Sequence, residues 1–325
     1  MSFRSGFVSI IGRPNAGKST LVNALVGEKV AIVTHKPQTT RTRIQGVVNL
    51  PARKGHPAGQ VVFIDTPGVH KPDSSLNRKM MQEVHDALAT RDLILLIVDA
   101  TQKFGTGDRF TLDLVKRVGG PVFLLLNKID LLNKQELLPI IAEYSKLHDF
   151  AEVIPISATK RDGLDVLLDG ILDHLPEGPR YFPKDHFTDQ PVRFLVAEII
   201  REKVLMETGQ EVPYASAVIV ERFEEEPKLT RIAATIYCER EGQKGILIGK
   251  RGEMLKKIGT SARFEIERLL GTKVFLELFV KVQLGWRESR HFVEELDWRR
   301  QLEGLADPGE QPTAKRAKSA KERHK

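Results

Sequence analysis

The chain has one cysteine among its 325 residues, Cys238. That excludes an intrachain disulfide and fits a reducing compartment. Cys238 closes the apolar run Ile236-Tyr237-Cys238 and reads as a small buried strand residue. Long apolar runs are missing as well. The longest, Leu93 to Val98, stops at Asp99, far short of the ~20 residues that span a bilayer. The stretch Met1 to Gly6 has no apolar signal-peptide core. A cytoplasmic, soluble protein, at most peripheral to a membrane, is expected. There is no internal repeat, no Cys/His cluster with zinc spacing, and no Ser/His/Asp or Cys/His arrangement for nucleophilic catalysis. The nine histidines are scattered and read as surface or packing residues.

What is present suits a globular chain with a real core: 41% hydrophobic and 29% charged residues. The net charge of +7 points to a polyanionic partner, nucleic acid or an anionic membrane surface. Between residues 6 and 175 apolar runs alternate with helical patterns. Strands are expected at Phe7–Ile11, Ile44–Leu50, Val61–Ile64, Leu93–Val98, Val122–Leu126 and Val153–Ile156. Helices are expected at Lys18–Val26 and near 75–89, 107–118, 134–147 and 163–174. Continuous apolar strands indicate a mostly parallel sheet covered on both faces.

Prolines at 176, 179, 183 and 191 then break the pattern. The expected divisions are a first domain over 1–178, a linker over 179–191, a smaller α+β domain over 192–285 and an extension over 286–325. The second domain reads as a helix (192–206), two strands (216–223 and 231–239), a glycine-containing loop, a helix (253–270) and a strand (274–283). A last helix is expected over 286–303, followed by a disordered basic tail, Lys315 to Lys325.

Gly12-Arg13-Pro14-Asn15-Ala16-Gly17-Lys18-Ser19 follows a strand and opens a helix. In that context the glycines let successive N–H groups face phosphate oxygens, and the helix N-terminus adds positive character. Lys18 would reach the β- and γ-phosphates and Ser19 would ligate Mg²⁺, with Thr20 beside it. Asp65-Thr66-Pro67-Gly68 would add a water-mediated Mg²⁺ contact from Asp65 and a γ-phosphate contact from the Gly68 amide. Thr39 or Thr40, with Thr40 preferred, would ligate Mg²⁺ only while a γ-phosphate is present. Asn127-Lys128-Ile129-Asp130 is the expected base-selection element. The Asp130 carboxylate can accept the guanine N1–H and 2-amino group side by side, whereas adenine would leave it unpaired. Asn127 would brace the loop and reach the base edge, and the Lys128 stem would cover the ring. In Ser157-Ala158-Thr159 a backbone N–H, assigned to Ala158, would meet guanine O6. GTP is the expected substrate and GDP the expected product.

Position 69, where many switch GTPases place a water-orienting glutamine, is Val69. Turnover is therefore expected to be slow, and Asn15 is a candidate ligand for a monovalent cation, K⁺, that would replace an arginine finger. Lys18, Thr40, Asp65, Gly68 and Asn15 form the expected catalytic set.

In the second domain Ile248-Gly249-Lys250-Arg251-Gly252 carries a Gly-x-x-Gly loop. Small residues let a sugar-phosphate backbone approach, while Lys250, Arg251 and the following Lys256 supply charge. Ile246, Ile248 and Leu255 are candidate walls of a groove for single-stranded bases.

Taken together these motifs resemble the Era family, bacterial GTPases with a C-terminal KH domain. The resemblance covers about residues 5–285. It implies a Ras-like P-loop GTPase domain with a mostly parallel six-stranded sheet, and a type II KH domain. It further implies binding near the 3′ end of 16S ribosomal RNA, assistance to 16S processing and small (30S) subunit assembly, and peripheral inner-membrane association. A monomer is expected. A tRNA-modification-type GTPase would need modifying-site residues that the chain lacks. A degenerate nucleotide domain is opposed by intact Lys18, Ser19, Asp65 and Asp130.

Overall fold

The structure is a computed structural model that describes residues 2–36, 38–53, 55–68, 73–209 and 211–299. Val69 and the tail from Lys315 lie outside the described residues. Two compact units emerge, one holding Met1–Ala31, Thr40–Lys71 and Met80–Thr188, the other holding Ile32–Thr39, Pro72–Lys79 and the chain from Asp189.

The first part of the chain runs β1 (Arg4–Ile11), α1 (Lys18–Val26), β2 (Ile44–Leu50), β3 (Gly59–Asp65), α2 (Ser75–Ala89), β4 (Leu93–Asp99), α3 (Thr106–Val118), β5 (Val122–Asn127), α4 (Lys134–Ser145), β6 (Glu152–Pro155) and α5 (Leu164–His174). The six strands order as β2-β3-β1-β4-β5-β6. All pairs are parallel except β2 with β3. This is the expected fold. The strands read as continuous apolar runs because both faces are covered. Leu93, Leu95 and Ile97 of β4 enter the core with Leu21 of α1 and Ile171 of α5, while Ile94, Leu96 and Val98 enter the opposite core with Leu88 of α2 and Val115 of α3. Each such buried side chain contributes about 1.5–3 kcal/mol. Sheet order reverses about β1, so the loops leaving the carboxyl ends of β1, β3, β4, β5 and β6 converge on one edge.

The stretch expected as a linker is pinned to this sheet through residue 188. The buried Gln60 accepts from the Tyr181 and Phe182 amides at 2.8 and 2.9 Å and donates to the Phe182 carbonyl at 2.8 Å. Thr188 Oγ1 donates to the Gln45 carbonyl at 2.7 Å. Prolines stop the helix here without freeing the chain.

The second unit continues with α6 (Val192–Glu207), β7 (Ala217–Glu225), β8 (Leu229–Cys238), α7 (Glu241–Ile248), α8 (Glu253–Leu270), β9 (Lys273–Val282) and α9 (Arg290–Glu295). Its sheet orders as β7-β8-β9, with β7 antiparallel and β9 parallel to β8. Ile258, Ala262, Ile266 and Leu270 recur every fourth residue on α8 and are buried. Cys238 is buried, as read from sequence.

Two expectations need correction. The glycine-containing loop after β8 is mostly helix. Gln243 Oε1 accepts from the Glu239 and Arg240 amides at 2.9 and 3.1 Å and Leu247 is buried. These offset the ~1 kcal/mol that each of Gly242 and Gly245 costs in a helix. The helix expected over 286–303 is only Arg290–Glu295 among the described residues. Trp286 precedes it, fully buried, with Nε1 donating to the Ala215 carbonyl at 2.8 Å.

Candidate nucleotide site and RNA-binding loop

The loop Gly12–Gly17 joins β1 to α1. Asn15 takes φ +63° and Gly17 φ +102°. A Cβ at Gly17 would lie 2.2 Å from Asn127 Nδ2, so only glycine fits. Lys18 is buried and its Nζ donates to the carbonyls of Gly12 and Arg13 at 3.0 and 2.9 Å. Burial pulls its ammonium down to about 8, partly opposed by Asp65. Pro14 lies against Gly68. The Arg13 side chain turns away to Asp108 on α3 at 2.7 Å. That leaves its backbone to the loop.

Three oxygens separated in sequence meet beside Lys18. Ser19 Oγ donates to Asp65 Oδ2 at 2.6 Å and lies 2.8 Å from Thr40 Oγ1. Thr40 Oγ1 also donates to Asp65 Oδ2 at 3.3 Å. Asp65 is fully buried and its Oδ1 has no hydrogen-bond partner. Burial pushes the carboxyl up to about 6, partly offset by Lys18 and by hydrogen bonds from Ser19, Thr40 and the Thr66 amide. An orphaned carboxylate oxygen next to two hydroxyls is a donor set that fits a hard divalent cation such as Mg²⁺. Thr39 faces elsewhere, its Oγ1 donating to the Lys36 carbonyl at 2.6 Å. Thr66 Oγ1 is bonded to the Ile10 carbonyl at 2.7 Å, and Pro67 is buried.

Asn127 is buried and couples two loops. Its Nδ2 donates to the Ala16 carbonyl at 2.8 Å, and its Oδ1 accepts from the Ala158 amide at 3.0 Å. The bracing role therefore occupies both ends of the side chain. It also engages the amide expected for guanine O6, so a base would have to share that amide or use a neighbouring one. Lys128 takes φ +69°, and its Nζ donates to Asp99 Oδ2 at 2.6 Å. Asp99 titrates below the usual carboxylate range: burial, which alone would raise it, is outweighed by hydrogen bonds from Lys128 and Thr101. Asp130 is exposed on the short turn Ile129–Leu131, and its Oδ1 accepts from the buried Ser157 hydroxyl at 2.6 Å. Thr159 is exposed, and Thr20 is half-buried on α1.

In the second unit, Gly249, Arg251 and Gly252 take φ +72°, +54° and +82°. A Cβ at Gly249 would sit 2.7 Å from Met254 Cβ. Lys250, Arg251 and Lys256 are exposed. Ile246 is exposed, Ile248 and Leu255 are half-buried, and Leu247 is fully buried. The first three can therefore line a surface, while Leu247 belongs to the core.

Residues 7–128 match the family described as 50S ribosome-binding GTPase, and residues 211–287 match the KH domain. GTPase Era of Ruminiclostridium cellulolyticum is 50% identical over 300 residues, covering 92% of this chain and 99% of that protein. GTPase Era of Geobacter metallireducens is 52% identical over 298 residues, covering 91% and 98%. A crystal structure of Era with MgGDPNP and nucleotides 1506–1542 of 16S ribosomal RNA superposes with a TM-score of 0.87 at 41% identity, covering 91% of this chain and 99% of that one. A variant of Aquifex aeolicus Era bound to GDP and AlF4⁻ gives 0.86 at 41% identity, with the same coverage. The chain belongs to the Era family. It is a GTPase with a Ras-like nucleotide domain followed by a KH domain. Similarity to the Era proteins extends past residue 285, in keeping with the burial of Trp286 and Trp298.

Three side chains of this Era-family chain escape a motif scan: Asp99, which holds Lys128; Asp108, which holds Arg13; and Arg201 on α6. Only Asp99 left a signal, as the charge that ends the apolar run of β4.

Proposed function

We propose that this chain is a GTP-operated switch whose KH domain binds the 3′ region of 16S ribosomal RNA during small-subunit assembly. The observation that carries the nucleotide half is the convergence of Ser19, Thr40 and Asp65 beside Lys18, with one Asp65 oxygen left unpaired. Ser19 and Thr40 would hold Mg²⁺ through their hydroxyls and Asp65 through a water, and the ion would neutralise charge developing on the transferred phosphoryl. The buried Lys18 would keep its proton against the phosphates, the loop amides would grip them, and the Gly68 amide would face the terminal one. Asp130, fixed by Ser157, would read guanine, while the Lys128 stem, tethered by Asp99, would cover the ring. Asn15, turned to positive φ at the rim of the loop, would add K⁺. Initial rates of Mg²⁺-dependent GTP hydrolysis in K⁺ and in Na⁺ test this. Ser19→Ala and Asp65→Ala should each lose most turnover, and equal rates in the two salts would remove K⁺ from the reading.

For the RNA half, support comes from the exposed Lys250-Arg251 pair between two glycines and from the relative crystallised with nucleotides 1506–1542 of 16S RNA. We place the protein in the cytoplasm as a monomer, with the net positive charge supporting a transient anionic-membrane contact. Crosslinking in cells followed by sequencing should concentrate reads at the 3′ end of 16S RNA. Reads spread evenly over cellular RNA would refute the assignment.

A further inference from the structure

The segment Ile32–Thr39, which leads into Thr40, belongs to the second unit and is tied to α6 at several points. The Val33 amide donates to Glu202 Oε1 at 3.0 Å. Lys36 Nζ donates to the carbonyls of Leu205 and Thr208, at the end of α6 where a helix leaves acceptors unsatisfied. Arg201, 3% exposed, donates from Nη2 to the Thr39 carbonyl and from Nη1 to the Gln38 carbonyl at 3.4 Å. Its guanidinium is itself fixed by Glu198, Nε to Oε1 at 2.7 Å and Nη2 to Oε2 at 2.6 Å. A planar fork held on one side by a carboxylate can set the orientation of the carbonyls on the other.

We propose that Arg201 is a positioning residue for the GTPase reaction. It fixes the peptide planes of Gln38 and Thr39 so that the next residue, Thr40, presents its hydroxyl to Ser19 and Asp65. The proposal rests on the reading of Thr40 as a Mg²⁺ ligand in the GTP state. Thr40 reaches Ser19 at 2.8 Å and Asp65 at 3.3 Å, and a misplacement of about 1 Å at such a site can cost on the order of 100-fold in rate. GDP has no γ-phosphate to reward an ordered Thr40. Loss of Arg201 should therefore separate GTP from GDP, which a general loss of stability would not do.

The experiment measures affinity of the full chain for a non-hydrolysable GTP analogue and for GDP, both with Mg²⁺, together with kcat, in Arg201→Met, Thr40→Ala and the double variant. Arg201→Met should weaken analogue binding about tenfold, ~1.4 kcal/mol, lower kcat, and leave GDP affinity within about twofold. Thr40→Ala should lose at least as much, and the double variant should lose no more than Thr40→Ala alone. Arg201→Met that weakens both nucleotides equally, or neither, overturns the proposal, and so does an additive double variant. If Thr40→Ala binds the analogue as the parent does, the Thr40 reading itself fails. If Thr40→Ala weakens it and Arg201→Met does not, only the Arg201 proposal falls. Should Arg201→Met show no cooperative melting transition, Glu198→Gln carries the test. It keeps the arginine but loosens it, and is expected to weaken analogue binding about threefold without affecting GDP. No selective loss in that variant is decisive against the proposal.

Discussion

Ser157 donates its hydroxyl hydrogen to Asp130 Oδ1 at 2.6 Å. The donor is buried and the acceptor exposed, so a solvent-facing carboxylate is held in one orientation from below. The fixed oxygen leaves the other free to lead at a base edge. Ser157→Ala should weaken GDP binding by roughly tenfold, the lower end of ~1.5–3 kcal/mol for a hydrogen bond to a charged group, because Asp130 is solvated. Competition with a fluorescent GDP checks this, and an unchanged affinity would mean that the carboxylate needs no orienting partner.

Asn127→Ala should do more harm, and to folding as well as to binding. It strands the Ala16 carbonyl and the Ala158 amide in the interior, at about 1–3 kcal/mol each. The nucleotide-free melting temperature should fall by several degrees, and GDP affinity by more than in Ser157→Ala. A variant that melts like the parent would show that water replaces both bonds at no cost.

Nucleotide binding should be bell-shaped in pH. Asp65, raised to about 6, favours folding fully only below its unfolded value and loses that contribution as pH rises through 6. Lys18, lowered to about 8, loses its contribution as pH falls through 8. Between 6 and 8 both buried charges are present and cost stability in the free protein, and that is the form that suits Mg²⁺ and phosphate. Below pH 6 Asp65 takes up a proton and Mg²⁺-dependent GDP affinity should fall by up to about tenfold per unit. Above pH 8 Lys18 loses its proton and affinity should fall again. The nucleotide's own phosphate titrates near 6, so Asp65→Asn is the control: it should flatten the acid limb relative to the parent. Parallel acid limbs would assign the effect to the nucleotide.

Lys250→Ala with Arg251→Ala should weaken RNA binding across sequences and lower the salt slope by about 1.4, from ~0.7 per single-strand phosphate contact. GTP turnover without RNA should not change. An unaltered slope would place the RNA elsewhere.

Much of this architecture is legible in the amino-acid sequence. Continuous apolar strands alternating with helices gave the first fold, and the glycine spacing from 12 to 17 fixed the phosphate loop, because each signal lies within a few residues. What stayed hidden depends on distant partners. Thr40 and Asp65 lie 21 and 46 residues from Ser19 in the sequence, so spacing alone does not choose Thr40 over Thr39. The partner that holds the Arg13 side chain, Asp108, lies 95 residues on. The helix Glu241–Ile248 was masked by its two glycines, and the prolines near 180 concealed a segment tied down by Gln60, 121 residues away.

Competition of GTP and ATP for bound fluorescent GDP, in the parent and in Asp130→Asn, is the decisive measurement. The parent should yield to GTP but not to a ~1,000-fold excess of ATP, and Asp130→Asn should lose guanine binding by at least about 100-fold while keeping its melting profile. Displacement of GDP by ATP at GTP-like concentrations, or an Asp130→Asn variant that still prefers guanine, would show that the carboxylate at position 130 does not select the base.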